Sequence, residues 1–167
     1  MLVLGIDPGT ATTGFGLVRE NEDGSLAVAD YGVILTLPGQ PMPQRLLELY
    51  QKLKEILLLH QPQSSAVEKL FFQRNVRTAI SVGQARGVAL LALAEAGIPV
   101  AEYTPLEIKQ AVAGYGSAEK NQVQQMVRAL LNLSDIPRPD DAADALAVAI
   151  CHLHTAQSQA MYEDGSA

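Results

Sequence analysis

At 167 residues, with 48% hydrophobic and 18% charged residues, the chain has the size and composition of one globular domain with its own core. A single cysteine, Cys151, excludes an internal disulfide, and no apolar run approaches the roughly 20 residues of a membrane span. The net charge of −6 excludes a uniformly basic nucleic-acid surface, though not a local basic face.

Residues 2–7 form an apolar run ending in Asp7 and read as a buried strand, with 14–19 as its hairpin partner across a Gly- and Thr-rich turn. Residues 26–37, rich in Val, Ile and Leu, give a third strand, broken by Pro38-Gly39-Gln40-Pro41. Helical spacing at Leu46, Leu49, Leu53, Ile56 and Leu57 predicts a helix over 44–60. A fourth strand over 64–70 carries Glu68. A long helix follows over 75–96, with small and apolar residues at Ala79, Ile80, Gly83, Gly87, Leu90, Leu91 and Ala94. A fifth strand is expected at 98–103 and helices at 105–113, 118–131 and 139–157. A meander followed by strands returning through helices predicts an α/β fold with a five-stranded mixed sheet flanked by helices. One domain over 1–158 is expected, with a flexible acidic tail over 159–167. The N-terminus lacks the basic start and long apolar stretch of a secretory signal, so a reducing cytoplasm is the expected compartment.

Four carboxylates stand out. Asp7 and Glu68 end two apolar strands, and ligands of open α/β sheets bind beyond the carboxyl ends of such strands. Asp141 and Asp144 lie three apart on the last helix, with Cβ atoms about 5–6 Å apart. Asp140 suits the helix N-terminus after Pro139, and spacing alone does not choose between the pairs 141/144 and 140/144. Four acids brought together repel and need a counter-ion, which for an all-oxygen site is Mg²⁺ or Mn²⁺. That combination points to metal-assisted phosphoryl chemistry. His152 lies eleven residues beyond Asp141, about 16 Å along a helix, too far for one metal centre. It is read as structural, with His60 and His154.

The basic residues concentrate between 68 and 128, where seven bases meet five acids. Ser117 is the expected N-cap of the helix bearing Lys120, whose first turn can hold a phosphate. Phe71 and Phe72 follow Glu68 and precede Arg74 and Arg77, an arrangement suited to stacking on nucleobases. The alternative reading is an actin-like kinase, because Asp7-Pro-Gly9-Thr10 with Thr12 and Thr13 resembles a phosphate loop, but 167 residues supply only one of the two lobes required. A non-catalytic binding module on the same fold is disfavoured, since a pure binder gains nothing from acids facing phosphates.

Gly5-Ile-Asp7-Pro-Gly9-Thr, Val67-Glu68-Lys-Leu-Phe71, Gly83-Gln-Ala-Arg86-Gly87, Lys109-Gln, Gly116-Ser-Ala-Glu-Lys120 and Asp141-Ala-Ala-Asp144-Ala-Leu, in order along residues 1–155, together resemble the RuvC family of bacterial Holliday junction resolvases. The resemblance implies an RNase H-like fold and a homodimer. It implies a structure-selective, Mg²⁺-dependent endodeoxyribonuclease that makes paired symmetric nicks in four-way junctions during homologous recombination and DNA repair. Asp7, Glu68, Asp141 and Asp144 match the family's metal-binding carboxylates, which selects Asp141 over Asp140. Two Mg²⁺ per subunit in the presence of DNA, replaceable by Mn²⁺, are implied for in-line hydrolysis. Lys109 and Lys120 match basic residues near the scissile phosphate, Lys120 with a catalytic role, and Phe71 matches an aromatic at the junction. The 75–96 helix matches the dimer-forming helix, and branch-migration proteins of the RuvA and RuvB type are implied partners. The acidic end of this chain departs from the basic extension of some members.

Overall fold

The computed structural model describes residues 1–69 and 76–164, with no side-chain description for residues 76–77 and 159–164. Strand β1 (Leu2–Asp7) pairs antiparallel with β2 (Thr12–Glu20), which pairs antiparallel with β3 (Leu26–Leu35). On its other side β1 runs parallel to β4 (Ser64–Glu68), and β4 runs parallel to β5 (Val100–Tyr103). The sheet order is β3-β2-β1-β4-β5, the expected mixed sheet.

Both faces of this sheet are covered, which is why β1 and β4 read as continuous apolar runs rather than alternating ones. Leu2, Leu4, Ile6, Leu17 and Val67 face one layer, formed by α1 (Met42–His60) and α2 (Val76–Glu95). Val3, Val18 and Ala66 face the other, formed by α3 (Pro105–Ala113), α4 (Lys120–Leu130) and α5 (Asp140–Asp164). Helix α1 buries Leu49, Leu53 and Leu57 of the expected stripe. In α2 the buried residues are Ala85, Ala89, Ala92 and Leu93, so the stripe containing Ile80 and Leu91 turns outward, each about 60% exposed. No helix among the described residues is long and apolar enough to cross a membrane.

Element ends differ from expectation for local reasons. Strand β5 starts at Val100 because Ile98 N–H is spent on Leu93 O at the end of α2, and Pro99 has no N–H to give. Helix α4 starts at Lys120, not 118: Ala118 is buried in a turn, its N–H on Tyr115 O, and Gln122 accepts from Glu119 N–H at 2.8 Å. Glu119, rather than Ser117, is therefore the cap. Helix α5 runs to Asp164 instead of ending at 157, since no Pro or Gly interrupts it after Asp140.

Helix α5 is the centre of the second layer. Its residues Ala142, Ala143 and Ala145 through Cys151 are all buried, because it touches the sheet on one side and α3 and α4 on the other. Alanines make the helix thin, and glycines let the sheet accept it. A Cβ on Gly5 would stand 2.1 Å from Ala145 O, and one on Gly14 would stand 1.9 Å from Asp141 O. Both obstacles are backbone, which cannot rotate aside. Gly14→Ala is therefore expected to destabilise the fold by about 1–3 kcal/mol, the usual overpacking cost. Thermal unfolding checks this, and an unchanged Tm would show that α5 does not need this close seating.

Candidate active site

The register Ile6↔Val67 carries Asp7 and Glu68 to adjacent carboxyl ends of two parallel strands. Strand alternation puts Asp7 on the face of Val3 and Gly5, the face that α5 covers. Gly14 lies opposite Asp7 in β2, and it is Gly14 that touches the backbone of Asp141. The same close contact that seats α5 therefore brings its first turn, with Asp141 and Asp144, over the end of β1.

The electrostatics record this convergence. Burial pushes the Asp7 carboxyl up to about 8 from its ordinary 3.8, and Asp144, Glu68 and Asp141 add repulsion, with Lys120 opposing. Glu68 is also raised, by burial first and Asp144 second, against the pull of Lys109 and Lys120. Asp144 is raised by burial, while a hydrogen bond from Lys120 works the other way. Lys120 stands 3.2 Å from Asp144 and 3.4 Å from Asp140. Burial lowers its pKa, but these partners outweigh burial and hold it above its ordinary value. Asp140 is lowered, first by the Gln124 hydrogen bond and then by Lys120 and Arg138. A cleft of about 270 Å³ opens here, lined by Glu68, Lys109, Lys120, Asp144, Ile108 and Val148 among others.

Of the sequence-derived candidates, Glu68, Asp144, Lys109 and Lys120 line this cleft, and Asp7 and Asp141 stand close enough to that set to interact with it by charge. Phe71 and Arg74 lie outside the described residues, as does the Arg77 side chain. Among the described residues, no three His, Cys, Asp or Glu side chains already stand in ion-binding geometry. The donor chemistry still fits a hard divalent cation. The group is all oxygen, burial and then repulsion raise Asp7 and Glu68, and the nearest compensating charge, Lys120, is half-exposed at its rim.

The sequence motifs contain Arg86 and the threonines of the first turn, but not the contacts by which they hold these groups in place. Arg86 of α2 donates to Glu68 O at 3.3 Å and pairs with Glu102 at 2.6 Å, fixing the end of β4 against β5. The turn after Asp7 is tied down by its threonines. Thr13 Oγ1 donates to Gly9 O, Thr10 Oγ1 to Ser81 O and Thr36 Oγ1 to Thr10 O, each at 2.6 Å. Buried hydroxyls spent on carbonyls are not free to grip a nucleotide phosphate, which removes the kinase-like reading of this turn. The histidines are joints: His152 bridges Ser64 Oγ (2.7 Å) and Tyr103 OH (2.8 Å), His60 meets Asp30 at 3.0 Å, and His154 meets Ala111 O at 3.0 Å.

Comparison with known proteins gives the same reading of the chain. The family model for crossover junction endodeoxyribonuclease RuvC matches residues 3–152. A relative of that description from Chloroflexus aurantiacus is 62% identical over 156 residues, 93% of this chain and 94% of its own. The structure of Thermus thermophilus RuvC superposes with a TM-score of 0.89 at 40% identity, covering 95% of this chain and 97% of that one. A second Thermus thermophilus RuvC structure, in complex with a Holliday junction substrate, superposes at 0.87 with 37% identity, covering 95% and 96%.

The raised Asp7 pKa has a measurable sign. The folded state holds this proton more tightly than the unfolded chain. The resulting stability is full below the ordinary pKa of 3.8 and is lost as pH rises through about 8. Asp7→Asn is expected to raise the metal-free Tm at about pH 9 by at least about 3 °C, with a smaller gain near pH 5. Mg²⁺ at about pH 8 should raise the wild-type Tm and leave that of the variant unmoved. A variant less stable than wild type across this range would remove Asp7 from a repulsive cluster.

Proposed function

This chain belongs to the RuvC family of crossover junction endodeoxyribonucleases, and we propose that it resolves Holliday junctions by cutting two opposed strands, using Asp7, Glu68, Asp141 and Asp144 as its metal-binding carboxylates. The observation that carries this is the approach of Asp144, Glu68 and Asp141 to Asp7 at the carboxyl ends of β1 and β4, where burial and then their repulsion push Asp7 up to about 8. Its RNase H-like sheet supplies the two strand ends, and α5 supplies the other pair.

Mg²⁺, or Mn²⁺ in its stead, bound as two ions by these carboxylates when DNA is present, would activate water and neutralise phosphate charge for in-line hydrolysis. The protein's own groups do the rest. Asp7, buried and faced by the other three acids, would be held ionised as one of the ligands of such ions, with Glu68, Asp141 and Asp144 completing the set. Lys120 is close enough to the cluster to oppose charge developing on the phosphate, and Lys109 lies on the Glu68 side of the cleft. Water attack on phosphorus with loss of O3′, breaking the P–O3′ bond, gives 5′-phosphate and 3′-hydroxyl ends. Phe71 supplies a stacking aromatic, by its match to the family, and Arg74 and Arg77 supply phosphate contacts, by their position after the aromatics that follow Glu68.

Paired nicks require two equal sites, and we assign the two-fold contact to the outward face of α2. A Cβ on Gly83 or Gly87 would meet nothing within 4 Å in the protomer, and exposed Ile80 and Leu91 flank them. Action on chromosomal DNA, with branch-migration proteins of the RuvA and RuvB type as partners, belongs to the cytoplasm, where Cys151 remains a thiol.

The test is cleavage of a synthetic four-way junction. Wild-type protein with Mg²⁺ should nick opposed strands at symmetric positions, and chelation should stop it. Asp7→Asn should cleave below about one hundredth of the wild-type rate while binding the junction with unchanged affinity. Cleavage retained in Asp7→Asn, or none by wild type with Mg²⁺ or Mn²⁺, would defeat the proposal.

A further inference from the structure

The rim of the carboxylate cluster contains a second construction. Lys120 and Gln124 lie four residues apart on α4, and Asp140 and Asp144 lie four apart on α5, so each pair occupies one helix face. The two faces meet. Lys120 Nζ reaches Oδ2 of both aspartates, 3.2 Å to Asp144 and 3.4 Å to Asp140. The other Asp140 oxygen, Oδ1, accepts from Gln124 Nε2 at 3.2 Å and from Arg138 Nη1 at 2.8 Å. Gln124 is only 6% exposed, a buried amide whose described hydrogen-bond partner is Asp140. Asp140 is thus fixed from two sides while its remaining oxygen faces the lysine.

We propose that Asp140 is a positioning residue that holds Lys120 at the rim of the active site and takes over its ammonium when a cation occupies Asp144. The proposal rests on the nuclease reading above. Lys120 is the first residue of α4, where the helix dipole disfavours positive charge, so its position depends on anions outside its own helix. In the structure it divides itself between two. A dication on Asp144 repels an ammonium 3.2 Å away, and the lysine then either leaves for solvent or moves toward its second partner. Asp140 is held on the α4 side by its bonds from Gln124 and Arg138. It therefore keeps the ammonium one helical turn from Asp144, within a short swing of the phosphate that the cleft would hold. Asp140 and Asp141 are neighbours with different duties: one faces α4 and anchors the lysine, the other belongs to the carboxylate set.

The test compares Asp140→Asn with wild type, both alone and in a Lys120→Ala background. Asp140→Asn should lower single-turnover cleavage about tenfold with junction affinity within about twofold. It should also raise, about threefold, the Mg²⁺ concentration that gives half of the thermal stabilisation, because a lysine deprived of its second anion competes harder for Asp144. This second readout needs neither DNA nor turnover. Both effects should disappear in the Lys120→Ala background, and Asp140→Glu, which keeps the charge, should recover most of the rate. Effects of equal size with and without Lys120 would mean that Asp140 acts on the ion directly or only on folding, and would overturn the proposal, as would an Asp140→Asn protein indistinguishable from wild type. A wild-type protein whose Tm and cleavage both ignore Mg²⁺ and Mn²⁺ would instead sink the nuclease reading, and this inference with it.

Discussion

Helix α5 lies against β1 and β2 because neither surface has side chains in the way. Gly5 and Gly14 leave backbone at the contact, alanines face them, and an added Cβ at either glycine would collide with a carbonyl oxygen at about 2 Å. Without that contact the first turn of α5 would stand farther off the sheet. Asp141 and Asp144 would then no longer stand close to Asp7 and Glu68. The core and the site are therefore set by one packing decision. The alanine-rich sequence that makes the helix thin also makes it apolar almost all round, so α3 and α4 close over its back and deliver Lys109 and Lys120 to the same cleft.

That arrangement stores repulsion. A carboxyl held at about 8 is a group the fold keeps against its preference at neutral pH. Lys120 relieves part of the charge from the rim, and Arg86 fixes the end of β4 so that Glu68 cannot retreat. If cations bind this cluster, metal affinity and fold stability would be linked through the same proton. The overall charge of −6 is a weak guide to such a site, since it says nothing of how charges are distributed over the surface.

Much of this was legible in the sequence because it depends on local pattern. Apolar runs ending in Asp7 and Glu68 announce strand ends, helical spacing at Leu49, Leu53 and Leu57 announces α1, and the carboxylate set emerges once those ends are neighbours. What was not legible depends on tertiary contacts. Ser117 has the chemistry of a cap, but burial of Ala118 moves the helix start to Lys120. Ile98 has strand propensity, yet its N–H closes α2. Ile80 and Leu91 follow a core-like spacing and point outward, because the alanines at 85, 89 and 92 fit closer to the sheet. Asp140 reads as a helix-start acid, and only the approach of α4 gives it Gln124 and Lys120 as partners. The threonines of the first turn resemble a phosphate loop until their hydroxyls are seen bonded to Ser81 O and Gly9 O.

The central claim is that four acids from β1, β4 and α5 share divalent ions. Anomalous diffraction from crystals equilibrated with Mn²⁺ tests it most directly. The account predicts scattering peaks within bonding distance of carboxylate oxygens of Asp7, Glu68, Asp141 and Asp144, with Lys120 displaced toward Asp140. Mn²⁺ bound elsewhere on the protein while this cluster stays empty would contradict it.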